Sequence, residues 1–248
     1  MRDRIACIIL AAGLGTRMKS NKAKVLHKLL DKPMILYVVE TANRVVGNNV
    51  IVVVGHQAER VKEVIGDSIQ VNFALQEEQL GTGHAVMCAM DLLPVDVEDV
   101  LIIYGDVPLL SYKTLSSLLK YHQEGNRDIS VLAVNVDNPT GYGRILMDQN
   151  SQLAGIVEEA DASVKEKAIS LVNSGIYCIK REFLCNNINK IKSNNVQNEF
   201  YLTDVIKIGY NQNRSVGVVI GSNQKEIIGI NSPDELKQAE RILNKSNM

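Results

Sequence analysis

No window of the chain approaches the about 18 consecutive apolar residues that a membrane-spanning helix needs, so a bilayer span is not expected. An excess of charge is also missing. Lys and Arg number 27 against 28 Asp and Glu, a formal charge of −1, which excludes the broad basic surface of a general nucleic-acid binder. The four cysteines Cys7, Cys88, Cys178 and Cys185 form no C-x-x-C pair, sit in or beside apolar segments and read as reduced core residues. No two of the four histidines have metal-ligand spacing and no G-x-S-x-G occurs, so neither zinc nor acyl-enzyme chemistry is expected. The first residues imitate a signal peptide, with Arg2 and Arg4 ahead of an apolar run and small residues after it. That run, Ile5 to Leu10, is too short for a signal core and reads instead as a first buried strand. The expected location is cytoplasmic.

What is present is ample apolar material. With 46% hydrophobic residues in 248, the chain can bury a sizeable core, and at about 150 residues per domain it has room for one large domain or two small ones. Apolar, β-branched runs predict strands at 4–10, 50–54, 69–75, 100–104 and 129–136, and helical spacing predicts helices at 34–46, 58–65, 82–93 and 111–122. This alternation implies right-handed βαβ crossovers. The expected fold is α/β and Rossmann-like: a mostly parallel central sheet, helices on both faces and a small antiparallel elaboration. The elaboration follows residue 136, where shorter segments predict strands at 144–147, 152–158, 175–180 and 215–220. A last helix starts with Ser232 as N-cap, Pro233 at its first position and Glu235 completing a capping box. No Pro/Ser-rich linker, repeat or low-complexity tract divides the chain.

In an open α/β sheet, ligands bind beyond the carboxyl ends of the strands, here the loops after Leu10, Leu75 and Tyr104. The first reads Leu10-Ala11-Ala12-Gly13-Leu14-Gly15-Thr16-Arg17, small residues whose backbone N–H groups can cradle anionic oxygens. Position 18 is Met18, so the G-x-G-x-x-G fingerprint is broken, and no Gly-Lys-Ser/Thr follows at P-loop spacing. From Gly15 to Lys32 there are six cations (Arg17, Lys19, Lys22, Lys24, Lys28, Lys32) and one acid, Asp31, a local charge of +5. A glycine loop backed by Arg17 and Lys24 suits a triphosphate; a solvated basic loop is the plainer alternative.

Asp106, at the end of the buried run before it, fits a Mg²⁺ ligand or a turn residue ahead of Pro108, and Asn231 fits a second oxygen ligand or the turn before Ser232. Gln76 and the Gly81-Thr82 backbone offer paired donors and acceptors for a base edge such as uracil, or form a plain polar loop. The segments 139–144, 155–158 and 173–175 are glycine-marked polar sites suited to a hydroxyl-rich ligand.

Taken in order, L-A-A-G-L-G-T-R-M, Lys24-Val25-Leu26-His27, Q-x-x-Q-L-G-T-G-H-A, Y-G-D-V-P-L, P-T-G-Y-G-R-I, G-I-V-E, N-x-G, E-F-Y-L-T-D and a late G-I-N run across residues 4–240. This set resembles the N-terminal uridyltransferase domain of the bifunctional N-acetylglucosamine-1-phosphate uridyltransferase/glucosamine-1-phosphate acetyltransferases. The resemblance implies UTP and an amino-sugar 1-phosphate as substrates and Mg²⁺ as cofactor, with no nucleic acid or membrane as partner. It implies a single domain over 1–248, nucleotide-binding over 1–136, sugar-binding over 137–230 and closed by a helix over 231–248.

By the same resemblance Leu10, Ala11, Ala12, Gly13 and Gly15, with Arg17 and Lys24, hold the triphosphate. Gln76, Gly81 and Thr82 read uracil, while Tyr104, Gly105 and Asp106 line the centre. Gly143, Glu158 and Asn173 contact the sugar phosphate, and Asp106 and Asn231 bind Mg²⁺; Arg17, Lys24 and Asp106 carry the catalytic roles. Two departures stand out. Ala23 replaces the proline common before the lysine, which implies a looser loop. The β-helical acetyltransferase half has no counterpart in the sequence, so acetyl-CoA is not expected as a partner and a monomer is favoured.

Three further readings stay open from the residues alone: uridyltransfer to another sugar 1-phosphate such as glucose 1-phosphate, a dinucleotide-binding oxidoreductase, and a nucleotide-sugar sensor without turnover.

Overall fold

A computed structural model describes residues 4–246. In chain order its elements are β1 (Ile5–Leu10), β2 (Lys28–Leu29), β3 (Lys32–Pro33), α1 (Met34–Val46), β4 (Val50–Val54), α2 (Ala58–Gly66), β5 (Asn72–Leu75), α3 (Thr82–Ala89), β6 (Asp99–Tyr104), α4 (Tyr112–Glu124), β7 (Ile129–Asn135), β8 (Arg144–Met147), β9 (Leu153–Val157), α5 (Val164–Lys167), β10 (Leu171–Lys180), α6 (Arg181–Asn187), α7 (Asp204–Asn211), β11 (Val216–Gly221) and α8 (Pro233–Ser246). The central sheet runs β11-β7-β10-β6-β1-β4-β5, with β8 and β9 attached through β10. β1 pairs parallel with both β4 and β6, β4 with β5, and β7 with β11. β10 alone on that path runs against its neighbours, pairing antiparallel with β6 and β7.

The period of two in a strand explains how one sheet feeds two cores. Ile5, Cys7 and Ile9 of β1, with Val50, Val52 and Val54 of β4, face α1, α2 and α4. Ala6, Ile8 and Leu10, with Ile51 and Val53, face α3, α6 and α7. Both faces are therefore covered, and β1 and β4 are apolar throughout. The edge strand β5, by contrast, leaves Asn72 and Leu75 exposed.

Four sequence expectations need correction. The strand predicted at 175–180 starts at Leu171, because a bulge between Asn173 and Ile176 lets polar residues continue the pairing with β7. The strand predicted at 69–75 starts only at Asn72, and the helix predicted to Leu93 ends at Ala89 and tightens into a 3₁₀ turn over Met90–Leu92. Cys7 and Cys178 are core residues, but Cys88 is half-buried and Cys185 exposed: α6 turns Phe183 and Leu184 inward and the next residue outward. The elements α5, α6 and α7 were not anticipated. Among the described residues no helix is long and apolar enough to cross a membrane.

Leu118 on α4 is fully buried against the sheet. Replacing it with Ala removes apolar contact and leaves a cavity, so Leu118→Ala is expected to lower unfolding free energy by about 2–5 kcal/mol in urea titration. A loss below about 1 kcal/mol would contradict this packing.

Candidate active site

Parallel register brings the strand ends to one level. Leu10 pairs with Tyr104, and the Gly105 N–H donates to the Leu10 carbonyl at 2.9 Å. A Cβ on Gly105 would lie 2.9 Å from Ile35 Cδ1 and 3.1 Å from Ala11 Cβ, so this glycine allows two loops to touch. The first loop then climbs through Gly15, at φ +65°, where a Cβ would sit 2.6 Å from that of Lys24. The loop thus packs directly on the lysine.

Ala23 is 2% exposed with φ −52°, a value that proline also adopts. Its N–H donates to Gln57 Oε1 at 3.0 Å, and Gln57 Nε2 donates to the Asn21 carbonyl. A proline has no N–H to make the first bond. The loop that the sequence implied would be loose is tethered here from α2.

Lys24 is the centre of the polar arrangement. Its Nζ donates to Asp106 Oδ2 at 2.6 Å and to Asn231 Oδ1 at 2.9 Å. Asn231 arrives from far along the chain because the Ile230 N–H donates to the Asp106 carbonyl at 2.8 Å. The predicted capping box contributes to this in altered form. Ser232 Oγ accepts from the Glu235 N–H as expected, but the Glu235 carboxylate accepts from Asn231 N–H, at 2.7 Å, not from the cap residue itself.

Two oxygens, one anionic and one neutral, therefore converge on a cation supplied by the chain. That donor set fits a hard divalent ion completed by phosphate oxygens and water. Among the described residues no group of three or more His, Cys, Asp or Glu forms a self-sufficient metal site.

Two cavities flank this point. One, of about 390 Å³, is lined by Leu10, Ala11, Ala12, Gly13, Gly15, Lys24, Gln76, Gly81, Thr82, Tyr104 and Asp106. The other, of about 250 Å³, is lined by Arg17, Tyr104, Asp106, Gly143, Glu158, Asn173 and Asn231. Tyr104 and Asp106 belong to both. Of the residues given site roles by the resemblance only Gly105 lines neither cavity, and Arg17, exposed on a 3₁₀ turn, faces the second cavity while Lys24 faces the first.

The reversed course of β10 builds the second cavity, because its start lies at the ligand-binding edge. Asn173 Nδ2 donates to the Tyr177 hydroxyl at 2.7 Å, and the Asn173 N–H donates to the Gly143 carbonyl. Glu158 accepts from Thr203 Oγ1 at 3.0 Å. Burial pushes the Glu158 carboxyl above its ordinary range against that hydrogen bond, and the charges of Asp161, Asp204 and Glu199 push it the same way. Burial likewise raises the Tyr104 phenol. Lining residues to which the sequence reading gave no individual site role include Gln79 and Glu199 on the first cavity and Tyr142, Gly175 and Glu235 on the second, although Tyr142 and Gly175 lie in segments it marked as ligand sites. Gly175 lay inside the N-x-G motif and was the most legible of these.

A glycine-rich anion loop, a two-oxygen cation point and paired cavities at the carboxyl edge of a parallel sheet define a nucleotide-handling transferase of Rossmann-like fold. Residues 6–224 match the nucleotidyl transferase family, and the chain belongs to that family. It is 45% identical over 241 residues to the bifunctional protein GlmU of Caldanaerobacter subterraneus subsp. tengcongensis, covering 97% of this chain and 52% of that protein. The GlmU of Trichlorobacter lovleyi is 44% identical over 96% of this chain and 52% of its own length, and that of Desulfotalea psychrophila 40% identical over 96% and 70%. The chain thus spans about half the length of the first two relatives. A solved chain from Bacillus anthracis assigned as a glucose-1-phosphate thymidylyltransferase shares the fold, with a TM-score of 0.74 at 20% identity over 96% of this chain and 94% of that one.

Gly175 is at φ +76°, and a Cβ there would meet Tyr104 Cε2 at 2.3 Å. Gly175→Ala is expected to displace the wall common to both cavities. It should cost on the order of 1–3 kcal/mol in chemical denaturation and alter the near-ultraviolet tyrosine dichroism. An unchanged spectrum with unchanged stability would contradict the contact.

Proposed function

We propose that the chain transfers the uridylyl group of UTP to N-acetylglucosamine 1-phosphate, giving UDP-N-acetylglucosamine and pyrophosphate. The observation that carries this reading is the meeting of the two cavities at Tyr104 and Asp106, with a cation on either side. In the first cavity the Leu10–Gly15 backbone and Lys24 hold the triphosphate, and Gln76, Gly81 and Thr82 meet the base. In the second, Gly143, Glu158 and Asn173 hold the amino-sugar phosphate beside Arg17. The similarity to proteins named GlmU supports the choice of substrates.

In the transfer, an ionised oxygen of the sugar phosphate attacks the α-phosphorus in line. A new P–O bond forms as the bond to the β-phosphate oxygen breaks, and pyrophosphate leaves with that electron pair. No general base is required, because the attacking oxygen carries no proton, and catalysis reduces to positioning and charge neutralisation. Lys24 and Arg17 take up the charge of the triphosphate as it grows on the departing pyrophosphate. Asp106 and Asn231 would hold Mg²⁺, which when bound supplies neutralisation between the two anionic reactants. Lys24, hydrogen-bonded to both oxygens, keeps Asp106 from being a buried uncompensated charge.

Pyrophosphate release should be screened with four nucleoside triphosphates against several sugar 1-phosphates. Release is expected only with UTP, N-acetylglucosamine 1-phosphate and Mg²⁺ together. Asp106→Ala should lower turnover on the order of 100-fold or more and weaken Mn²⁺ binding measured by calorimetry. Turnover unchanged in that variant would overturn the metal assignment, and activity with glucose 1-phosphate alone would overturn the choice of sugar.

A further inference from the structure

We propose that His84 is a positioning residue that fixes which way the Gln76 carboxamide points, and so makes the first cavity discriminate between uracil and cytosine. The inference rests on the reading of that cavity as the uridine site. His84 does not line the cavity; it stands on the first turn of α3, half-buried, and acts through Gln76, which is 4% exposed and does line it.

The hydrogen-bond inventory leaves one arrangement. Gln76 Nε2 lies 3.1 Å from the Gly81 carbonyl oxygen and 3.1 Å from His84 Nδ1. A carbonyl only accepts, so the amide nitrogen must face Gly81, and the flipped amide would set oxygen against oxygen. The second amide hydrogen then points at Nδ1, which makes Nδ1 the acceptor and places the ring proton on Nε2. That nitrogen lies 3.9 Å from Cys88 Sγ, a weak acceptor. The surroundings are clamped as well. Phe200, whose ring lies 6.4 Å from the imidazole, accepts from the Gly83 N–H at its carbonyl and donates from its N–H to the Leu80 carbonyl.

With both amide hydrogens committed, the group left for a ligand is Oε1, an acceptor. Uracil presents a donor at N3, flanked by two carbonyls, and satisfies it. Cytosine presents a lone pair at N3, which meets Oε1 as acceptor against acceptor. Without His84 only the Gly81 carbonyl opposes the flip, and a rotated amide offers cytosine an N–H. The discrimination is therefore held one residue behind the surface that touches the base. This places a function on the histidine of the Q-x-x-Q-L-G-T-G-H-A motif, whose other members shape the loop.

The test compares calorimetric affinity and kcat/KM for UTP and CTP in the full chain and in the variants His84→Ala, His84→Asn and Gln76→Leu. The asparagine variant carries a carboxamide oxygen close to where Nδ1 stands. In His84→Ala the UTP-to-CTP preference should fall about tenfold, the scale of one lost hydrogen bond, and His84→Asn should recover most of it. If the alanine variant does not fold, His84→Gln replaces it, since its oxygen sits one bond further out and the same loss of preference is expected. Equal weakening toward both nucleotides, or an unchanged preference in His84→Ala while Gln76→Leu abolishes it, would overturn the role of His84. A wild-type chain without preference for UTP would instead overturn the uridine reading, and this inference with it.

Discussion

The pairing of β1 between β4 and β6 in parallel register is the constraint on which the rest of the structure depends. Because Leu10 stands opposite both Val53 and Tyr104, and Val54 opposite Leu75 of β5, the loops after β1, β5 and β6 leave the sheet at about one height. The glycine loop, the Asp106 turn and the Gln76 loop have no freedom to lie elsewhere. The bonds that seal this edge are ordinary backbone ones: the Ala11 N–H to the Val53 carbonyl and the Gln76 N–H to the Val54 carbonyl, at 2.9 and 2.8 Å. Each contributes little alone, but together they convert a sheet edge into a floor for a ligand.

Against that floor, β10 supplies what parallel strands cannot. A parallel strand brings only its carboxyl end to the ligand edge, whereas a reversed strand brings its start. Asn173 and Gly175 are therefore adjacent to Tyr104 although they follow it by about 70 residues in the sequence. The bulge between Asn173 and Ile176 re-aims this short polar stretch without ending the strand. One antiparallel strand thus adds a second cavity beside the first.

Most of this was legible in the sequence where the signal was local. Uninterrupted apolar runs at Ile5–Leu10 and Val50–Val54 located the buried strands, and helical spacing located α1 at its observed bounds. The glycine loop drew notice by composition, and it lines the first cavity together with Lys24 from the basic stretch after it. What was not legible depends on pairing. The early start of β10 is set by its partners β7 and β8, not by its own polar residues. Helix α7 begins at the last residue of the motif E-F-Y-L-T-D, where Phe200 and Leu202 bond back to the 80–83 turn, contacts that no local pattern announces. The convergence of Lys24, Asp106 and Asn231 joins positions 207 residues apart, and only the fold can bring them within 2.9 Å of one nitrogen.

Ala23 shows how the same local geometry can be reached by different physics. A proline there would stabilise the loop mainly by narrowing the unfolded ensemble, at the cost of a donor. Alanine leaves the unfolded chain freer but retains the N–H, and the fold spends it on Gln57. Gln57 in turn is held in the left-handed region at φ +55° as α2 begins, so its carboxamide is aimed by the backbone as well as by its bonds. The position of Lys24, one residue on, is thereby coupled to α2 and to the β4 edge from which that helix springs. An alanine that looks like a loss of rigidity in the sequence is in the structure restrained by a hydrogen bond in place of a ring, and the lysine beside it reaches Asp106.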